Sequence, residues 1–179
     1  MIETERLILR PLEDRDRDAV FAINGDPRVG DWLAGAQSRA QSDAFVDRMR
    51  AHQIEHGFSF WAVELKADGA VAGLAGLAVI GDDLPPGPCV EVGWRFSPAA
   101  WGHGYASEAG RAALAWGFAN RDLAEIIAIT ATTNLASQAV MRRIGMTPDP
   151  ARDFDHPRLA ADHPLRRHVL FSAARHGLA

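Results

Sequence analysis

The sequence predicts an α+β domain in which a mixed, mostly antiparallel central sheet is flanked by helices. The apolar runs "FSFWAVEL" and "GAVAGLAGLAVI" surround the turn "KADG", which is the pattern of a β-hairpin. The stretch "CVEVGWRF" alternates apolar and polar residues, as a half-buried strand does. Helix start signals stand before and after these runs, and no repeat or composition change marks a boundary. We therefore expect one domain over residues 1–179.

The first half of the chain predicts a strand, two helices and the hairpin, in that order. "RLILRPL" is a short apolar strand that Pro11 ends, and the acidic start of "EDRDRDAVFAI" begins a helix. Ser38 and Gln41 match a capping box, so a second helix runs from there to about His56 and ends at Gly57. The loop "GDDLPPGP" then separates the hairpin from a fourth strand, "CVEVGWRF".

The second half predicts a glycine-rich turn, a helix to about Asn120 and the buried strand "EIIAITA". "ASQAVMRRIGM" is a short helix with Gly145 in the C-cap position, and "RRHVLFS" is a last strand. The fourth strand has one apolar face and one mixed face. The first carries Val90, Val92, Trp94 and Phe96, and the second carries Cys89, Glu91 and Arg95.

Composition excludes several classes of protein. With 179 residues, 47% of them hydrophobic and 23% charged, the chain has the composition of a soluble globular protein. A net charge of -4 gives no broad basic surface for nucleic acid. The single cysteine, Cys89, excludes intramolecular disulfides and multi-thiolate metal sites. No apolar run has the length of a membrane span, and "MIETERLILR" is charged from its third residue, so we expect a cytoplasmic protein.

The turn "WGHGYASEA" is the strongest functional signal in the chain. A helix start carries free N–H groups and a partial positive charge, which makes it an anion site. Gly102 and Gly104 allow the backbone to curl until several N–H groups point to one place. Ala106 has a small side chain that leaves room beside the turn, and Ser107 offers a hydroxyl. These features suit a pyrophosphate.

Three nucleotide motifs compete for this turn. A Walker A loop ends in Gly-Lys-Ser/Thr, which is absent here. A dinucleotide fingerprint has a third glycine where this chain has Ser107, and "SPAAW" separates the strand from the turn. The acyl-coenzyme A signature Gln/Arg-x-x-Gly-x-Gly/Ala fits better. A tight turn whose glycines serve packing alone stays open as an alternative.

Four blocks in order resemble the GNAT superfamily of acyl-CoA N-acyltransferases, especially its RimJ/RimL-like ribosomal-protein N-terminal acetyltransferases. The first three blocks, "ETERLILRPL", "EVGWRFSP" and the glycine turn, are similar to that group's opening strand, fourth strand and phosphate turn. The fourth is "NLASQAVMRRIGM". Trp101 stands where the superfamily pattern has Gln or Arg, and tryptophan is familiar there in the RimJ/RimL-like group. The resemblance covers nearly the whole chain and implies the GNAT fold.

The resemblance implies where acetyl-CoA would bind. The backbone amides that would hold its pyrophosphate are those of Gly102, His103, Gly104, Tyr105, Ala106 and Ser107. Phe96 would offer backbone pairing to the pantetheine arm, where two adjacent strands splay and admit the thioester. Asn134 would hydrogen-bond the pantetheine or the bound amine, and Ser137 would lie near the sulfur.

Acetyl transfer to an amine requires a neutral amine, stabilisation of the oxyanion and a proton for the thiolate. Glu91 is the candidate base, and Glu91→Gln is expected to lower the rate mainly at lower pH. A carboxylate on a half-exposed strand that merely faces solvent or pairs with arginine remains the alternative. Ser137 is the candidate acid, with capping of its helix as the alternative. Tyr105 lies inside the phosphate turn and is not expected to reach the sulfur.

We therefore expect an acetyl-CoA-dependent N-acetyltransferase that acts by direct transfer in a ternary complex. The acceptor would be a primary amine, either a protein N-terminus or a small-molecule amine. A catalytically silent acyl-CoA-binding sensor or partner-binding module is the alternative. No nucleic acid, membrane or metal is expected as a partner, and a homodimer is one of the open oligomeric states. Cys89 is expected to be a buried strand residue and not an acyl carrier.

Three other sequence features invite interpretation. "HQIEH" (residues 52–56) matches a zinc-protease pattern, but we expect its histidines to serve a helix end. Trp32 is expected to pack in the core, with the wall of an acceptor site as the alternative. The segment "FDHPRLAADHPLRRH" (residues 154–168) is either a substrate rim or a structured loop.

Overall fold

The alternating runs of the sequence pair into one mixed sheet. The computed structural model describes residues 1–175. Within them the sheet has nine strands: β1 (Ile2–Glu3), β2 (Leu7–Arg10), β3 (Phe60–Leu65), β4 (Val71–Ile80), β5 (Cys89–Phe96), β6 (Glu125–Ala131), β7 (Thr147–Pro148), β8 (Phe154–Asp155) and β9 (Arg167–Ala174). Their order is β1-β2-β3-β4-β5-β6-β9-β7, with β8 paired to β9. Neighbouring strands are antiparallel except β5 and β6, which are parallel, so the predicted fold class is confirmed.

Helices form where the sequence provides caps and apolar spacing. The α-helices of residues 1–175 are α1 (Arg17–Asn24), α2 (Pro27–Gly30), α3 (Arg39–His56), α4 (Tyr105–Asn120) and α5 (Leu135–Arg143). Helix α3 begins at the predicted capping box of Ser38 and Gln41 and ends at Gly57, whose φ is 74°. Helix α5 has Ile144 as its C-cap and not the predicted Gly145. Gly145 is the next residue and has a φ of 89°.

The strand predicted as the fourth is the fifth, because Ile2–Glu3 pairs with β2 and adds a short strand at the edge of the sheet. Two residues are too few to show a period of alternation, so the sequence gives no signal for this strand. The last predicted strand is longer than expected and runs over Arg167–Ala174.

Helices cover both faces of the sheet. Leu77 of β4 packs with Leu114 of α4 on one face. Leu74, three positions earlier on the same strand, packs with Phe45 and Val46 of α3 on the other face. Neighbouring odd and even positions of β4 are therefore both buried, which explains why the run "GAVAGLAGLAVI" is apolar throughout.

One parallel junction positions the candidate site. Strands β5 and β6 pair at Glu91 and Ile127. Because the two strands are parallel, their carboxyl ends, at Phe96 and Ala131, lie at the same edge of the sheet. The glycine turn with α4 follows β5, and α5 follows β6, so all the candidate residues collect at this edge. In the part of the chain that the structure describes, no helix combines the length and apolarity that crossing a bilayer requires.

Candidate active site

Within residues 1–175, Glu91 and Ile127 are the only paired residues of β5 and β6. Beyond this junction a gap opens between the two strands. The Ser97 amide donates to the Ala72 carbonyl at 2.9 Å, on the β4 side. Because successive amides of a strand point to opposite edges, the N–H groups of Trp94 and Phe96 point into the gap. The free edge of β5 therefore offers backbone donors beside the candidate base.

The carbonyl of Phe96 is already engaged. The indole Nε1 of Trp101 donates to it at 2.9 Å. Only the amide of Phe96 is therefore available for the predicted pairing with a pantetheine arm. Trp101 departs from the superfamily pattern, and this bond gives it a local role: it ties the glycine turn to the end of β5.

The glycine turn has the geometry of an anion site. Gly102 and Gly104 have φ values of 79° and 81°, in the left-handed region that favours glycine. Gly104 is the N-cap of α4. Within residues 1–175 the five consecutive amides at 102–106 have no backbone or side-chain acceptor, whereas the Ser107 amide donates to the Gly104 carbonyl at 3.1 Å. Ser107 is thus left with its hydroxyl for a ligand.

An ion pair braces this turn from the start of the chain. Arg6 Nη1 donates to the His103 carbonyl at 2.9 Å, and its Nη2 lies 2.6 Å from Glu108. Thr4 Oγ1 also donates to Glu108 at 2.6 Å. The His103 and Tyr105 rings stack with centroids 5.5 Å apart, and Arg6 lies 4.8 Å from the Tyr105 ring centre. Sequence reasoning missed Arg6, because its contacts lie about a hundred positions along the chain.

Glu91 is neither exposed nor paired with an arginine. It lies on the α1/α3 side of β5, opposite Ala78, and protein atoms surround it closely although its carboxylate keeps contact with solvent. Within residues 1–175 it forms no ion pair or hydrogen bond. Burial raises the pKa of Glu91 to about 7. A carboxylate with this pKa can change its protonation state near neutral pH, as a general base must.

The raised pKa of Glu91 makes stability depend on pH. The unfolded state keeps a pKa near 4.5, so ionising Glu91 destabilises the fold as the pH rises from about 4.5 to about 7. We expect the free energy of unfolding of Glu91→Gln to exceed that of wild type at pH 8 by roughly 1–3 kcal/mol, after allowance for solvent contact. This difference should vanish near pH 4, where Glu91 is protonated in both the folded and the unfolded state. Calorimetric unfolding at the two pH values measures it, and an equal difference at both would contradict a raised pKa.

The two candidates on α5 have different local roles. Asn134 is the N-cap, and its Oδ1 accepts a hydrogen bond from the Ser137 amide at 3.1 Å. The cap of this helix is therefore Asn134 and not Ser137. The Ser137 hydroxyl has no partner within residues 1–175 and stays partly accessible. Asn134 has its amide N–H groups left for a ligand.

Two loops meet and form a groove. The segment after α2 and the segment 163–165 line a groove of about 320 Å³ that includes Gly30, Asp31 and His163. Phe154 pairs with His168, which lies opposite Ala131 on the edge of β6 away from β5, so these pairings do not place the segment 154–168 at the gap. The expectation that Trp32 lies in the core is wrong, since the loop after α2 leaves it 42% exposed.

The histidines of "HQIEH" serve the structure. His52 Nε2 accepts from the Val79 amide at 3.0 Å, and its Nδ1 lies 2.8 Å from the Phe58 carbonyl. Both ring nitrogens are thus engaged, with the proton on Nδ1. Burial lowers the pKa of His52. Residues 1–175 hold no group of three His, Cys, Asp or Glu side chains placed to bind a metal ion.

Comparison with known proteins decides the family. Residues 6–147 match the family described as "Acetyltransferase (GNAT) domain", which is most of the chain. The chain belongs to the GNAT acetyltransferase family. This acetyltransferase is 33% identical over 144 residues to the protein YkkB of Bacillus subtilis strain 168, covering 80% of this chain and 83% of that protein.

Two further likenesses agree. The acetyltransferase is 32% identical over 153 residues to the FsC-acetyl coenzyme A-N(2)-transacetylase of Aspergillus fumigatus, covering 82% of this chain and 64% of that protein. A solved structure of a GNAT-family acetyltransferase from Bacillus anthracis matches with a TM-score of 0.81 at 25% identity, covering 97% of this chain and 98% of that one. The chain is thus an N-acetyltransferase, and GNAT acetyltransferases use acetyl-CoA.

Proposed function

We propose that this chain transfers the acetyl group of acetyl-CoA directly to a primary amine, with Glu91 as the base. The observation that carries the proposal is the position of Glu91. It stands at the junction where β5 and β6 part, it keeps solvent contact, and burial raises its pKa to about 7. A carboxylate that only stabilised the fold would be paired with a cation or fully solvated.

The glycine turn fits the diphosphate of acetyl-CoA. Five consecutive amides at positions 102–106, which have no acceptor among the described residues, stand at the positive end of the sixteen-residue helix α4. Arg6, in its ion pair with Glu108, holds the turn in place through the His103 carbonyl. We assign the amides of Gly102 to Ala106 and the hydroxyl of Ser107 to phosphate binding. The Phe96 amide would pair with the pantetheine arm, and Asn134 would donate to the pantetheine or the amine.

Residues of the chain then transfer protons and stabilise the charge that develops during the reaction. Acetyl-CoA supplies the acetyl group as a thioester. Glu91 accepts a proton from the attacking amine, directly or through water, and this keeps the nitrogen lone pair free. The Trp94 amide, which points into the gap, stabilises negative charge on the acyl oxygen. The Ser137 hydroxyl gives a proton to the departing sulfur and regains one from solvent, while Tyr105 is held in the turn against His103.

Transfer through an acyl-cysteine is disfavoured by the state of the only thiol in the chain. Burial, with Glu91 nearby, raises the pKa of Cys89 to about 11, so the nucleophilic thiolate is scarce at neutral pH. We expect Cys89→Ser to keep kcat/KM within about twofold of wild type. Initial-rate kinetics with both substrates varied should give intersecting lines for both proteins. A folded but inactive Cys89→Ser, or parallel lines for wild type, would indicate a covalent intermediate.

The acceptor and the subgroup are finer proposals. The block "EVGWRFSPAAWGHGYASEA" supports a RimJ/RimL-like enzyme, whose acceptor is a protein N-terminus. The groove of about 320 Å³ between the loop after α2 and the segment 163–165 also has room for a small-molecule amine. We keep the cytoplasm as the predicted location and a homodimer as an open state. A single domain over residues 1–179 likewise stays a proposal, and its last four residues lie outside those described.

Release of the free thiol of CoA tests the proposed function. The protein is mixed with acetyl-CoA and a panel of N-terminal peptides, polyamines, amino acids and aminoglycosides, and thermal shifts are measured with acetyl-CoA and with NAD. We expect acetyl-CoA to stabilise the protein and at least one amine to release thiol. A shift with NAD and none with acetyl-CoA would contradict the assignment of the turn. A shift with acetyl-CoA and no thiol release would favour the silent binding module.

A further inference from the structure

Two arginines on the same side of the sheet as Glu91 lack, within residues 1–175, the carboxylate partner that most arginines of this chain have. Arg95 lies on β5, on the same face as Glu91, and Arg48 lies on α3. Their guanidinium carbons lie 5.1 Å and 5.8 Å from the centre of the Phe45 ring. Within residues 1–175 neither forms an ion pair. Arg10, by contrast, is more deeply buried than Arg95 and meets Asp16 at 2.8 Å.

The Arg95 guanidinium is only partly satisfied. Its Nη1 donates to Asn24 Oδ1 at 2.5 Å, and the fully buried Asn24 is itself held because its Nδ2 donates to Ser42 Oγ at 3.1 Å. The other N–H groups of Arg95 have no partner in the described part of the chain and keep contact with solvent. Burial, with help from Arg48, lowers the pKa of Arg95 to about 10. A cation that is partly withdrawn from water, as Arg95 is, is costly unless an anion meets it.

Between Glu91 and Arg95 the surface is apolar. A side chain at Gly93, the residue between them on this face, would put its Cβ 2.7 Å from the Phe60 ring, so Phe60 lies directly over the strand here. Four residues of extended strand span about 13 Å. Glu91 and Arg95 therefore stand at the two ends of an apolar floor, which is the arrangement that would receive a molecule with an amine at one end and an anion at the other.

We propose that Arg95 anchors an oxyanion group, a carboxylate or a phosphate, carried by the acceptor amine. The inference rests on the proposed function, because Glu91 defines where the amine stands. A guanidinium presents a planar fork that matches either group, and the unpartnered N–H groups of Arg95 are the donors available for it. Arg48 adds a second positive charge at the same ring. The same two charges disfavour polyamines, which carry no anion.

Matched amines test the inference. Thiol release is measured for dipeptides against their C-terminal amides, and for phosphoethanolamine against ethanolamine, with spermidine alongside. We expect wild type to favour the anionic member of at least one pair by about 10–100-fold in kcat/KM, and Arg95→Gln to lose that preference. The pair that shows the preference identifies carboxylate or phosphate. Arg15→Gln, which removes the same charge from a side chain that is 65% exposed, should keep it.

Equal use of both members by wild type would overturn the inference, as would a preference that survives in Arg95→Gln or spermidine as the best substrate. If Arg95→Gln does not fold, Arg48→Gln is expected to weaken the preference by a smaller factor. If no amine releases thiol, the proposed function fails separately. Calorimetry with the CoA-loaded protein then decides: the anionic member should bind wild type more tightly than its amide does, and equal or absent binding overturns the inference.

Discussion

Gly104→Val is expected to abolish acetyl-CoA binding while the protein stays folded. Gly104 has a φ of 81°, and a side chain in this left-handed region costs roughly 1–2 kcal/mol, with β-branched residues worst placed. The backbone would relieve the strain by rotating, and the amides around position 104 would turn away from their common point. Two misdirected bonds to a charged group amount to about 3–6 kcal/mol, or more than about 100-fold in affinity.

Gly69→Val provides the matched control. Gly69 has a φ of 75° and open space around it, but it lies in the β3–β4 turn and is not part of the glycine turn. A valine in the same backbone region should therefore lower the stability of the protein without lowering its affinity for acetyl-CoA. Titration calorimetry with acetyl-CoA, alongside thermal unfolding of both variants, measures the two effects. Wild-type affinity in a folded Gly104→Val would remove the phosphate role from the turn.

Glu91→Gln is expected to lower kcat/KM by about 10²–10⁴, the usual contribution of a positioned base. The burial of Glu91 refines the expected pH dependence. Below a pH of about 7 wild type loses its ionised base and slows, so the two proteins converge at low pH. They converge again above the pKa of the amine, about 8 for an α-amino group, where no base is needed. The largest difference should lie between these limits, and not at low pH as the residue types alone predicted.

Three measurements make the Glu91 result interpretable. The acetyl-CoA affinity of Glu91→Gln should match wild type, because the phosphate turn is untouched. Glu55→Gln, which changes the same group on a side chain that is 74% exposed at the end of α3, should leave the pH–rate profile unaltered. A profile for Glu91→Gln that keeps the wild-type ascending limb would show that another group is the base.

Features that depend on neighbouring residues were predictable from the sequence. The capping box of α3, the alternation of β5 and the glycine turn each involve positions a few residues apart, and each is where it was expected. Gly104 could be identified from the sequence alone, because its role depends on its own backbone conformation. The candidate base could likewise be placed on a strand face by counting.

Contacts between distant segments could not be predicted in this way. The Arg6–Glu108 brace joins residues 102 positions apart, and the Arg95–Asn24 bond spans 71. No spacing rule signals such pairs. The burial of Glu91 also comes from three-dimensional packing, since its strand neighbours indicate only a half-exposed position. The two-residue strands β1, β7 and β8 were missed because they are too short to show periodicity.

The glycine turn and the free edge of β5 present main-chain groups, and this has an evolutionary consequence. Backbone amides are supplied by nearly every residue type, so substitutions can accumulate around the donor half of the molecule without altering what it binds. That is consistent with a shared fold at 25% identity to the Bacillus anthracis enzyme. If Arg95 anchors the acceptor as proposed, acceptor choice depends instead on individual side chains, and a single substitution there would change which amine is acetylated.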